Sequence, residues 1–122
     1  MISSHGHIDT GLLNFVDFNK LEFTPKRMFF VTNVPAGSIR GGHGHYKDRQ
    51  CLMCVKGSIE IELVSKDGVF KKTIKPGEYC YMNEMVWASQ KYVTGDDILL
   101  VLCSEEFDKS DYFYNKEEVY KN

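Results

Sequence analysis

The sequence carries no excess of basic charge, no long apolar run and little helical periodicity, and each absence narrows what the protein can be. Fifteen Lys and Arg against 17 Asp and Glu leave a net charge of −2. The lysines are scattered, so no basic field exists to hold nucleic acid. No stretch nears the roughly 20 apolar residues that span a bilayer. The opening Met1–Thr10 is polar, with no signal-peptide core, so a cytoplasmic protein with no membrane partner is expected. No second CxxC accompanies Cys51-Leu52-Met53-Cys54. Residues three apart on a strand face opposite ways, so these two thiols cannot readily share an ion. With Cys80 and Cys103 they are expected as buried, reduced, apolar side chains. Internal repeats and linkers are also missing, and 122 residues suffice for one core. A single domain over residues 1–122 follows.

What is present is a series of short β-rich runs punctuated by Gly, Pro, Asn and Asp. Arg27–Thr32 is one, closed by Asn33-Val34-Pro35-Ala36-Gly37, and Gln50–Val55 is another, broken by Gly57. Ser58–Val64 alternates cleanly, with Ile59, Ile61 and Leu63 on one face and Glu60 and Glu62 on the other. Lys66-Asp67-Gly68 and Lys75-Pro76-Gly77 read as turns around Val69–Ile74. Tyr79–Met82, Val86–Val93 and Ile98–Cys103 complete the series. Many short strands with regular turns predict an all-β sandwich or barrel. The apolar N-terminal segment with Leu12, Leu13, Phe15 and Phe18 is read as a further strand, suited to pairing with a partner subunit's edge. A homodimer is therefore expected. Only Lys116–Tyr120 reads as helix.

The chemistry concentrates between Gly37 and Gly57. His43-Gly44-His45 places two imidazoles on one face of a strand, roughly 7 Å apart along the chain, and Gly41, Gly42 and Gly44 allow close approach of backbone or ligand. His5-Gly6-His7 repeats the pattern in a polar terminus and is read as without function. The spacing of Gly37, His43, His45, Gln50 and Gly57 resembles the first signature of the cupin superfamily, whose fold is the double-stranded β-helix or jelly-roll barrel. Two histidines with a carboxylate would suit non-haem iron. Here Gln50 stands in the carboxylate's place, and no histidine follows His45. The expected site is therefore free of metal and cofactor, with two imidazoles suited to acid–base work near neutral pH.

Longer segments carry a more specific likeness. Arg27-Met28-Phe29-Phe30, Arg40-Gly41-Gly42-His43-Gly44-His45-Tyr46-Lys47, Gln50, Val86-Trp87 and the tail Phe107-Asp108-Lys109-Ser110-Asp111-Tyr112 resemble the dTDP-4-keto-6-deoxyglucose 3,4-ketoisomerases, over essentially the whole chain. The resemblance implies a metal-independent isomerase that moves a keto group from C4 to C3 of a dTDP-linked deoxysugar through an enediol. It implies His45 as the base at C3 and His43 as donor or relay to C4, with the reverse assignment as the alternative. Arg27 and Arg40 would meet the diphosphate. Gln50 and Trp87 would line the sugar pocket, as would Phe29, which stands where the family often has Tyr. A deoxysugar 3,5-epimerase and a non-catalytic nucleotide-sugar binding module are the competing readings. The stereochemistry at C4 is not legible.

Overall fold

A computed structural model describes residues 2–121. Eleven strands follow in chain order: β1 (Ser3–His7), β2 (Gly11–Phe15), β3 (Arg27–Val31), β4 (Ser38–His45), β5 (Gln50–Lys56), β6 (Ile59–Ser65), β7 (Gly68–Ile74), β8 (Tyr79–Met82), β9 (Trp87–Tyr92), β10 (Ile98–Cys103) and β11 (Tyr112–Phe113). Two antiparallel sheets, ordered β3-β10-β5-β8 and β11-β4-β9-β6-β7, face each other as a jelly roll. The fold class read from the sequence is the one found. Lys116–Tyr120 is a short 3-10 helix, and among the described residues no helix is long and apolar enough to cross a membrane.

Alternation explains the layering. Leu52, Cys54, Ile59, Ile61, Ile74, Tyr92, Leu99, Val101 and Cys103 point inward and form the core between the sheets. Their neighbours Cys51, Met53 and Leu102 point the other way, into a second apolar layer beneath Phe23, Val16 and Leu21. Cys51 and Cys54 thus lie on opposite sides of one strand, as their spacing required. All four cysteines are unpaired and buried. Burial pushes the Cys51 thiol up to about 12 and those of Cys54, Cys80 and Cys103 to about 11, which leaves them inert as nucleophiles.

The turns are held by buried carboxylates. Asp97, 1% exposed, accepts from the backbone N–H of Ser58, Thr94 and Gly95 and from the Thr94 hydroxyl, so it ties two loops at one end of the barrel. At the other end Asp111 accepts from the N–H of Lys47 (2.9 Å) and Asp48 (3.0 Å). Asp48 in turn accepts from Gln50 Nε2 (2.9 Å), the Ser104 hydroxyl (3.3 Å) and the Glu105 N–H (3.0 Å). That relay locks the β4–β5 loop to the chain after β10, next to the paired histidines. The N-terminal segment departs from the sequence reading in one respect. It forms a hairpin of β1 and β2, not a single strand, because the loop between them lets the polar terminus fold back as a partner strand.

Candidate active site

The two imidazoles reach the interior because β4 carries a bulge. Arg40 pairs with Gln90 and His43 with Ala88, while Gly42 is the extra residue between. Gly41 and Gly42 both have positive φ, +87° and +77°, which glycine adopts without the Cβ penalty. On an unbroken strand Arg40 and His43, three apart, would face opposite ways. The bulge turns Arg40, His43 and His45 to one side, opposite Phe29 of β3 and Gln50 of β5. A cavity of about 80 Å³ lies among Phe29, Arg40, His43, Gln50, Gln90 and Tyr92.

His43 and His45 meet edge to face with ring centroids 5.2 Å apart. His45 is 2% exposed, and neither of its ring nitrogens has a hydrogen-bond partner among the described residues. Leaving a buried polar atom unpaired costs roughly 1–3 kcal/mol, so a protein keeps such atoms where a ligand will use them. Burial lowers the His45 pKa to about 4, against the opposing pull of the Asp48 and Asp111 carboxylates. Burial also lowers that of His43, opposed by a bond to the Gly41 backbone. Both imidazoles are therefore neutral at pH 7 and free to accept a proton.

Arg27 points inward from β3, its guanidinium 5.3 Å from the Phe29 ring centre and 5.5 Å from that of Phe107. Burial alone would loosen its proton, but the adjacent Cys103 thiol and Tyr112 hydroxyl outweigh that and raise its pKa. Among the residues expected at the site, His43, His45, Arg27, Phe29, Arg40 and Gln50 share this interior. Trp87 does not, which corrects the expectation that it walls the sugar pocket. It pairs with Gly44, one residue out of step with His43. Its ring packs against Val64, Phe113 and Val119 on the outside of the barrel, its indole N–H donates to the Tyr114 carbonyl (3.1 Å), and Lys116 Nζ sits 4.4 Å above it.

Sequence reasoning assigned no role to Tyr112, yet its ring lies 4.5 Å from His45 and 5.0 Å from His43 between centroids. The Asp-Tyr pair in the tail was the available signal. Among the described residues no three His, Cys, Asp or Glu side chains gather as a metal site would need.

The chain is similar to several known proteins. A family model described as FdtA: WxcM-like, C-terminal matches residues 2–122. A TDP-4-oxo-6-deoxy-alpha-D-glucose-3,4-oxoisomerase of Aneurinibacillus thermoaerophilus is 29% identical over 104 residues, covering 84% of this chain and 75% of the relative. The crystal structure of QdtA, a sugar 3,4-ketoisomerase from Thermoanaerobacterium thermosaccharolyticum in complex with TDP, superposes with a TM-score of 0.87 at 29% identity, covering 98% of this chain and 91% of that one. That of WlaRB, a TDP-quinovose 3,4-ketoisomerase from Campylobacter jejuni, superposes with a TM-score of 0.87 at 25% identity, covering 99% and 94%.

Proposed function

The chain belongs to the FdtA family (WxcM-like, C-terminal), and from that premise we propose that it is a 3,4-ketoisomerase of a dTDP-linked 4-keto-6-deoxyhexose. The observation that supports this most directly is the pair of neutral imidazoles in edge-to-face contact, His43 lining the cavity and His45 buried behind it with both ring nitrogens unengaged among the described residues. The C3–H bond of such a sugar is acidified by the neighbouring C4 carbonyl. His45 takes that proton and leaves an enediol shared by C3 and C4. His43, in edge contact with His45, receives the proton and delivers it to C4. Both rings begin and end neutral, as their lowered pKa values favour. Each such transfer is worth about 10²–10⁴ in rate, and no metal is required.

Arg40, exposed at the cavity rim, meets the diphosphate in this reading. Arg27, half-buried beside the histidines, suits a sugar oxygen better than a diphosphate, and Phe29 and Gln50 line the sugar. The enzyme works in the cytoplasm and supplies a keto-deoxysugar for surface glycan or lipopolysaccharide synthesis. It acts as a homodimer. Met28, Phe30 and Val55 are 54%, 62% and 47% exposed on the outer face of the four-stranded sheet, beside Phe15 and Phe18 at 40% and 54%. Met28, Val55, Phe15 and Phe18, with Leu100 and Leu102, line a groove of about 400 Å³, and a second copy would cover it together with Phe30.

The test is to incubate the protein with dTDP-4-keto-6-deoxyglucose in D₂O and follow the sugar by NMR. Migration of the keto group is expected, with deuterium at the former keto carbon to the extent that the relayed proton exchanges with solvent while on the imidazoles. Exchange at C5 would indicate an epimerase, and an unchanged sugar would refute enzymatic function on this substrate.

A further inference from the structure

The ketoisomerase reaction proposed above moves two protons. As HO–C3(H)–C4=O becomes O=C3–C4(H)–OH, one proton passes from C3 to C4 and another passes from the C3 oxygen to the C4 oxygen. The histidine pair accounts for the first. The second needs a group that can donate to one oxygen and accept from its neighbour, which is the behaviour of a hydroxyl.

Two tyrosines present themselves to the interior. Tyr92 lines the cavity with His43, and its buried hydroxyl has no partner among the described residues. Its backbone, however, stands four residues along β9 from Ala88, the partner of His43, or roughly 13 Å at the rise of a strand, and the ring contacts of the imidazoles are made by other tyrosines. Tyr112 is against both imidazoles. It pairs directly with His45 across β4 and β11, its ring is within 5.0 Å of both imidazoles, and its hydroxyl adjoins the Arg27 guanidinium. Arg27 Nε and both His45 nitrogens are buried without partners at this same spot, so three polar atoms beside the Tyr112 ring await a ligand. The ring is also held on both sides. Asp111, immediately before it, grips the β4–β5 loop through the Lys47 and Asp48 N–H groups. Phe113, immediately after it, is 3% exposed and packs with Trp87 and Val119. A side chain placed this firmly loses little further entropy when substrate arrives.

We propose that Tyr112 is a further catalytic residue, the hydroxyl that carries the oxygen-bound proton of the isomerisation. As His45 removes the C3 proton, the C3–H electron pair forms the C3–C4 double bond, and the C4 carbonyl π pair takes the proton of the Tyr112 hydroxyl. When His43 protonates C4, the C3 hydroxyl returns its proton to the Tyr112 oxygen and C3 becomes the ketone. Tyrosine, imidazoles and charge are all restored. Arg27 offsets the negative charge on the tyrosine oxygen between the two transfers.

The experiment compares native protein, Tyr112→Phe and protein with 2,3-difluorotyrosine at position 112, following keto migration and C3 deuterium exchange of dTDP-4-keto-6-deoxyglucose. Tyr112→Phe keeps the ring against the histidines, so its thermal midpoint, histidine NMR shifts and KM should match the native protein while kcat falls 10²–10⁴-fold. The fluorinated protein should turn over with the alkaline limb of its kcat–pH profile displaced to lower pH, which a purely packing role would not do. A Tyr112→Phe kcat within about threefold of native overturns the assignment, as does an unmoved alkaline limb. Native protein that leaves the sugar unchanged is a separate result, and it removes the ketoisomerase reading and this role together.

Discussion

Acidification should cost this protein stability, and the share carried by His45 can be worked from the site. An ordinary histidine titrates at 6.5, whereas His45 in the fold titrates at about 4. The folded state thus resists a proton that the unfolded chain accepts. Stability is full above pH 6.5, falls as the pH drops below it, and levels off near pH 4. At about 1.4 kcal/mol per pH unit the loss approaches roughly 3 kcal/mol, a large share of the 5–15 kcal/mol typical of a domain. Urea unfolding at pH 7.5, 6.5, 5.5 and 4.5, run in parallel on native protein and His45→Asn, isolates it. Asp48, Asp111, Arg27 and His43, which act on His45, remain in both proteins. The native protein should lose about 2.5 kcal/mol more than the variant by pH 4.5. The same protonation removes the base, so the acid limb of kcat/KM should fall near pH 4. Parallel stability curves, or an acid limb near 6.5, would refute the claim that His45 is held neutral by burial.

Three further outcomes are expected. Gly44→Ala should destabilise the fold by about 1–3 kcal/mol, read as a lower urea midpoint, because a methyl there meets the Phe113 ring and the Val86 carbonyl. Native protein should sediment at twice 14.1 kDa, and Phe30→Glu, which puts a charge on the exposed apolar face, should sediment as a folded monomer. Extended chelation should leave keto migration unchanged and elemental analysis should find no stoichiometric iron, zinc or manganese, since Gln50 offers an amide where a metal would want a carboxylate.

Local alternation was enough to read much of this molecule. A period of two put Ile59 and Ile61 in the core and sent Cys51 and Cys54 to opposite layers. The same rule put His43 and His45 on one face, because a side chain's direction on a strand depends only on parity. Parity fails where the strand is irregular or the partner is distant. The bulge at Gly42 brought Arg40 to the side of the histidines, and three glycines in a row of five residues do not by themselves say which one is the extra. Trp87 lies one step out of phase with that face, a difference set by how β9 aligns with β4. A one-residue change of register would have reversed it. Tyr112 stands 67 positions beyond His45 in the sequence. Only the closure of β11 onto β4, fixed by Asp111 and Phe113, brings its ring to the imidazoles. The sequence by itself determined the strands from β3 to β10 and the histidine pair, which follow from neighbouring residues. Tertiary structure alone decided which other side chains face that pair, because this depends on pairings between strands far apart in the chain.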